Sequence, residues 1–395
     1  MIILEENEGI PRSIMFLMAI MAGLTVANLY YNQPLLEVIS TELGVSQVLT
    51  NLITVITQIG YVFGLMFIIP SGDLFSRRKI ILYSMSVAII TAAVIGLSHN
   101  IYLIWLASLL LGASSVIPQL FIPVASQFSR PENKATNMGY VLSGLLTGIL
   151  GARVISGFVG DMLGWRAMFL IAACIMIVCC TLCKFLMPDM QQNFKGTYPQ
   201  LLKTVWSIYR THPLIRLYSI RAGFGFGSML AIWACLAFHI AGEPFNAGSD
   251  KVGILGLCGV ADALSASGMG KFIPRFGIRR MSAAGALLQM LAWSVAYIFN
   301  DSYAGLAVAI IIVDVGIQCQ QLSNQSGCLQ EVPEASNRAN TIFMTTYFIG
   351  GSLGTFCAGL GWEAMGWAGV CVVGLSFAMV SLLVSTFEGK MLAGH

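Results

Sequence analysis

"SGDLFSRRKII", residues 71–81, sets one acid and three consecutive basic side chains between two long apolar runs. Around it the chain of 395 residues is 57% hydrophobic and only 10% charged, with a mean hydropathy of +0.80. Side chains in that proportion cannot all find the interior of a water-soluble domain, so the solvent the sequence anticipates is a lipid bilayer. A knot of charge between greasy runs is then a loop at the membrane surface.

A membrane helix needs about 20 mainly apolar residues, and twelve such runs are legible. Their approximate cores are 14–36, 49–70, 80–97, 101–126, 136–160, 167–187, 214–240, 252–273, 281–299, 303–323, 339–361 and 368–387. No segment alternates as a membrane β-strand does, which leaves helices to satisfy the backbone in lipid. Short cytoplasmic loops collect Lys and Arg. With both termini placed inside, 16 of the 21 basic residues fall in inside segments, Lys184 and Arg221 at inside helix ends, Arg166 and Lys251 outside, and Arg153 within a helix. The expectation is an all-α, multi-pass protein of a plasma membrane with both termini cytoplasmic. The net charge of +3 then reflects that bias and gives no reason to invoke nucleic acid. The first run follows "EENEGIPRS", is too long for a signal-peptide core, and is expected to stay as a span.

The charge knot has a second copy. "GKFIPRFGIRR", residues 270–280, follows the eighth run, with Gly270 lying 198 positions after Gly72. Pro131 and Glu132 after the fourth run return as Pro333 and Glu334 after the tenth, and Gly164 and Trp165 return as Gly366 and Trp367, both 202 positions on. Six helices are thus repeated once in the same orientation: 1–187, a linker over 188–213, and 214–395. Parallel six-helix halves with a site between them near the bilayer midplane are an architecture of secondary transporters.

"GDLFSRRK" and "GKFIPRFGIRR" resemble the paired loop signature of the major facilitator superfamily, and the resemblance extends over essentially the whole chain. "NLYYNQPLL", "GILGARVISG" and "DVGIQCQQLSNQ" are similar to a bacterial branch grouped with the drug:proton antiporters. The resemblance implies the major facilitator fold, two pseudo-symmetric halves of six helices each. It also implies a charge relay that holds the inward face closed, formed by Gly72, Asp73, Arg77 and Arg78 and, in the second half, Gly270, Arg275, Gly277 and Arg279. The family's usual acid before the Arg is Ser76 in the first copy and Pro274 in the second, so Asp73 would serve alone. Topology alone would need the basic residues but neither Asp73 nor the glycines.

Charges inside spans cost roughly 2.5–3.5 kcal/mol each on insertion scales and ask for a reason. Asp314, Gln318, Gln321 and Gln325 recur at i, i+4, i+7 and i+11, one stripe on the tenth helix that serves either as interhelical glue or as a cavity wall. Arg153 lies among Gly144, Gly148 and Gly151 of the fifth helix. It either holds an internal acid ionised, contacts an anionic group of the solute, or makes a structural ion pair. Asp262 on the eighth helix is a second candidate proton carrier beside Asp314. In the first helix Asn28, Tyr31 and Asn32 share a helical face while Pro34 removes the bond to the Tyr30 carbonyl, which suits solute recognition by a broken helix or anchoring of the tyrosines at the interface.

Other chemistries find little support. The ten cysteines, including "CCTLC" at 179–183, sit in apolar helices without His neighbours, so no metal and no cofactor is expected. "RAGFGFGS" at 221–228 neither follows a strand nor carries a Walker Lys, and without a large soluble domain an ATP-driven pump or an enzyme is not expected. The sequence therefore predicts a monomeric secondary transporter whose two halves rock around a small organic solute, exporting it in exchange for protons. Proton-coupled uptake, uniport and, remotely, a non-transporting membrane sensor are its rivals.

Overall fold

The computed structural model describes residues 3–5, 8–72, 74–190, 197–260, 272–273 and 275–392. Eleven helices among them are long and apolar enough to cross a membrane. They are α1 (Arg12–Leu43), α2 (Gln47–Ser71), α3 (Arg77–Leu97), α4 (Ile101–Phe128), α5 (Lys134–Leu163) and α6 (Trp165–Leu186) in the first half. The second half has α7 (Pro213–Ala241), α9 (Ile278–Ile298), α10 (Tyr303–Glu331), α11 (Ser336–Met365) and α12 (Trp367–Leu392). Between α7 and α9, the eighth element, α8, begins with Ser249–Leu255 and a tight turn at Gly256–Gly259. Its expected remainder, with Asp262 and Gly270, lies outside the described residues, as does Asp73. Side chains such as Phe16, Ile90, Ile155, Phe185, Leu291 and Leu353 stay exposed along the spans, the apolar perimeter that lipid covers.

The internal repeat extends to individual bonds. α3 and α9 are both 21 residues long, and α5 and α11 are both 30 residues long, each preceded by a 3₁₀ turn at Pro131–Asn133 or Pro333–Ala335. Gly164 and Gly366 both break the chain at positive φ, 84° and 60°, where a side chain would be strained. The Arg78 guanidinium donates to the Lys184 carbonyl of α6, and Arg279 donates to the Ser385 carbonyl of α12, donors and acceptors alike 201 positions apart.

Small residues set the helix spacing. An ideal Cβ on Gly148 of α5 would lie 2.1 Å from the Gly23 carbonyl oxygen of α1, and one on Gly350 of α11 would lie 2.2 Å from that of Gly223 on α7. Lipid gives helices no hydrophobic reason to associate, so close backbone packing of this kind supplies the attraction. Gly148→Leu and Gly350→Leu are each expected to force their helix pair apart and to lower the yield of monodisperse protein. Size-exclusion chromatography after heating reads this, with Gly139→Leu expected to change thermal tolerance less, since no neighbour lies within 4 Å of a Cβ there.

One end of the bundle carries the segment joining the halves, and the other is the far end. The joining segment, expected as a linker, contains a helix, Tyr198–Thr211, capped reciprocally by Thr197 and Gln200, with Leu201 and Ile208 buried. Tyr198 fixes it to α2 by donating to the Phe67 carbonyl at 2.8 Å. The first residues also join this end, Ile3–Leu4 pairing with Asp189–Met190 as two short parallel strands, β1 and β2.

The two halves meet towards the far end. Trp362 of α11 donates to Gln47 of α2 at 2.6 Å, Asn51 of α2 donates to the Thr355 carbonyl at 2.9 Å, and Thr355 donates to Gln58 at 3.3 Å. On the opposite side of the bundle, Ser249 of α8 donates to the Gly157 carbonyl of α5 at 2.9 Å, and the glycine backbones at 157 and 253 almost touch. Towards the linker end a narrow crevice separates α2 and α4 from α11.

Candidate functional site

The polar core starts at the break in α1. The helix runs regularly only to Val26, passes through 3₁₀ turns at Ala27–Leu29 and Gln33–Leu35, and resumes at Leu36. The expected break around Pro34 is thus present, but it spans more residues than one lost bond requires, and it changes which side chains share a face. Asn28, Tyr31 and Asn32 are all buried, at 2%, 3% and 2% exposure. Among the described residues neither amide atom of Asn28, nor the Asn32 Oδ1, has a hydrogen-bond partner. Leaving such atoms unsatisfied costs about 1–3 kcal/mol each, so an arriving polar group has something to gain here. Tyr30, which helical spacing does not single out, is the phenol beside Arg153, with its ring 5.1 Å from the guanidinium carbon.

Arg153 is buried and spans the divide between the halves. Its Nε donates to Gln33 Oε1 at 2.8 Å, and its guanidinium lies over the Trp233 ring of α7 at 3.9 Å. Trp233 belongs to the second half, so a cation on one half rests on an aromatic face of the other, a contact worth up to about 2 kcal/mol when desolvated. Any separation of α5 from α7 at this point would break it. Trp233→Ala is therefore expected to favour far-end opening, seen as faster labelling of a Cys introduced at Gln47 by an impermeant thiol reagent.

Asp314 is 2% exposed and sits midway along α10. α10 packs on the α8 turn Gly256–Gly259, and Asp314 is an electrostatic neighbour of Cys258 there. On the α5 side of the same turn, a Cβ on Gly256 would lie 2.8 Å from the Arg153 Cβ. Asp314 and the stem of Arg153 thus flank one short, tightly wound piece of α8, with the guanidinium itself turned to Gln33 and Trp233. Further along the stripe Gln318 is buried, Gln321 accepts from Tyr347 at 2.9 Å, and Gln325 donates to Asn340 at 2.7 Å. Its lower half therefore bonds α11, the glue alternative, while Asp314 and Gln318 lie deeper.

Between this core and the crevice stands an aromatic cluster. Tyr61 of α2 meets Phe348 of α11 with centroids 4.4 Å apart, Phe348 meets Phe226 of α7 at 5.2 Å, and Phe226 stacks on Tyr347 at 4.0 Å. Gln119 of α4 donates to the Tyr61 hydroxyl at 3.3 Å and also lines the crevice, and Tyr61 is in turn an electrostatic neighbour of Tyr30. A line of polar groups thus runs from the linker-end mouth to Arg153.

The charge knots hold their own halves together. Arg77 is 7% exposed and donates to the Gly72 carbonyl at 3.1 Å and to Gln127 of α4 at 2.9 Å. Arg78 and Arg279 tie to α6 and α12 as described, Gly277 caps α9 at positive φ, and Arg275 lies over Phe276.

One charge lies elsewhere than the sequence predicts. Arg221, expected at a helix end, is fully buried in α7 and paired with Glu388 of α12 at 2.5 Å, their side chains 0% and 4% exposed. Its Nε donates to Asn324 of α10, which donates to Ser282 of α9, and a turn away Gln320 links Gln289 and Ser381. The signal is a basic residue two turns inside an apolar run, together with a second amide row, Gln320 and Asn324, beside the Asp314 stripe.

The comparisons agree on the family. A family model described as the Major Facilitator Superfamily matches residues 15–355. The chain is 32% identical over 380 residues to the transporter YgaY of Escherichia coli O157:H7, with 96% of each chain covered. It is 28% identical over 358 residues to the probable transporter SCO4007 of Streptomyces coelicolor, covering 90% of this chain and 83% of that one. A crystal structure of a mutant of the nucleoside transporter NupG superposes with a TM-score of 0.77 over 95% of this chain and 99% of that one, at 14% identity, which speaks for the fold alone. With eleven spans among the described residues, an internal repeat kept to single bonds and a family match over most of its length, the chain belongs to the major facilitator superfamily and is a multi-pass membrane transporter.

Proposed function

We propose that the protein is a proton-coupled exporter of a small organic compound, working as a monomer in a bacterial inner membrane with its linker end and both termini in the cytoplasm. The observation that carries this reading is Asp314, a carboxylate buried mid-span against the same α8 turn that Arg153 flanks from the other half. A buried acid resists ionisation until a positive neighbour approaches, so a rocking motion that changes its surroundings also changes its hold on a proton. Asp262, which lies outside the described residues, is the second candidate carrier. Asn28, Tyr31, Asn32 and Gln318 are assigned to the solute, Gln321 joins them as its bond from Tyr347 opens, and Gly72, Asp73, Arg77, Arg78, Gly270, Arg275, Gly277 and Arg279 are assigned to the loops that brace each half as the cytoplasmic mouth closes.

In this cycle the solute enters through the crevice, the aromatic cluster rearranges around it, and the Arg153–Trp233 contact parts as the far end opens. Proton entry from outside resets the carrier. Solute counterflow in oriented vesicles distinguishes export from uptake: with export, an inside-acid gradient drives solute into inside-out vesicles, whereas uptake coupled to protons requires the opposite gradient.

A further inference from the structure

Among its described lining residues, the crevice at the linker end carries charge of one sign. Arg77 lines it from the first half and Arg338 from the second, and no Asp or Glu appears among the described residues of its wall. The two guanidinium groups are not equivalent. Arg77 is spent on the Gly72 carbonyl and Gln127. Arg338, in the first turns of α11 and only partly exposed, makes no hydrogen bond or ion pair with any described residue. Beside it stand Asn340, whose amide oxygen accepts from Gln325, and Thr341, and facing them lie Leu120, Pro123 and Met344. Met344 stands one helical turn from Phe348, where the aromatic cluster begins.

A partly desolvated guanidinium with spare donors is the side chain best matched to a carboxylate, and an adjoining apolar and aromatic wall is matched to a hydrocarbon body. We infer that the crevice is a loading site for an amphipathic organic anion, with Arg338 taking the carboxylate and the Leu120, Pro123 and Met344 wall taking the body. Arg153, deeper on the same line of polar groups, presents the next cationic station. This inference rests on reading the crevice as part of the transport path, and it narrows the solute to a class.

Binding to the purified full-length protein in uncharged detergent tests it, with naphthalene-2-carboxylate, its methyl ester and 2-(aminomethyl)naphthalene as matched probes, by calorimetry and by the shift in thermal midpoint. The carboxylate is expected to bind at least about tenfold more tightly than the other two, the scale of one charge-assisted hydrogen bond. Arg338→Gln is expected to remove that preference, and Arg338→Lys to keep part of it, while both remain monodisperse. Equal binding of the three probes, no binding of the carboxylate to the wild type, or an Arg338→Gln variant with undiminished carboxylate preference would each overturn the assignment. A second arm repeats the titration in phosphatidylcholine nanodiscs with and without phosphatidylglycerol. Displacement of the carboxylate by phosphatidylglycerol would give the crevice to a lipid headgroup and also overturn it, and undiminished affinity supports it. Because these readouts need no proton movement, loss of the carboxylate preference leaves proton-coupled export standing, and carboxylate transport without proton movement would remove the coupling while leaving the anion site.

Discussion

Replacing Glu388 with Ala is expected to destabilise the protein by about 3–5 kcal/mol, because it strands the Arg221 guanidinium in a site with no access to water. The remaining partners do not compensate: Asn324 and Ser385 offer neutral oxygens, and Tyr218 a ring 5.4 Å away. Removing both charges should behave differently. Arg221→Met with Glu388→Leu restores an apolar contact between α7 and α12, and buried pairs replaced in this way often lose little stability or none. The measurement is the unfolding midpoint in neutral detergent for the two single variants and the double variant. A double variant as unstable as Glu388→Ala would mean that the wider network of Asn324, Ser282 and Gln320, rather than charge balance, requires the pair. The positions 202 residues earlier, Ala19 and Leu186, carry no charge.

The second large effect concerns coupling. Asn is close in shape to Asp and can hydrogen-bond, but it cannot release a proton. Asp314→Asn is therefore expected to leave a folded transporter that exchanges solute across the membrane yet no longer accumulates it. One pH unit is worth about 1.4 kcal/mol per proton, or tenfold in solute ratio for a one-to-one exchange. The wild type should approach such a ratio under an imposed gradient, whereas the variant should settle near equal concentrations while its counterflow rate stays within a few-fold. Gradient-driven accumulation by the variant at the wild-type level would take Asp314 out of the mechanism and leave Asp262 as the carrier.

How much of this is written in the sequence differs from residue to residue. The spans and the repeat are legible because lipid imposes a length and an apolar character on every helix, and because "GW" and "PE" mark turns that recur at one offset. The far-end closure is not legible, since Gln47, Asn51 and Trp362 are ordinary residues until two distant helices are brought together. Preferring Tyr31 to Tyr30 assumes a regular helix through positions 28–32, and the 3₁₀ turns there change the facing. Arg221 is hard to place because a basic residue near the start of a span fits the positive-inside pattern equally well, and only its partner 167 positions away reveals that it is buried. The helix in the linker carries its own signals, Thr197, Pro199 and Gln200 in capping register, but polar surroundings make the segment read as a loop.

The first charge knot is expected from the sequence to gate, and its bonds among the described residues lie within one half. Arg77 and Arg78 tie the α2–α3 connection to α4 and α6 within one half, and in the proposed cycle the contact that changes across the divide is Arg153 on Trp233. That division of labour suits a rocking mechanism, in which each half keeps its shape and only the contacts between them exchange.

Proton movement on solute addition tests the central claim most directly. Purified protein in liposomes containing a pH-sensitive dye is challenged with a panel of anionic, neutral and cationic aromatic compounds, alongside Asp314→Asn. The account predicts a solute-dependent proton flux in the wild type, greatest with the anions, and none in the variant. Solute transport by the wild type with no accompanying proton flux would contradict it.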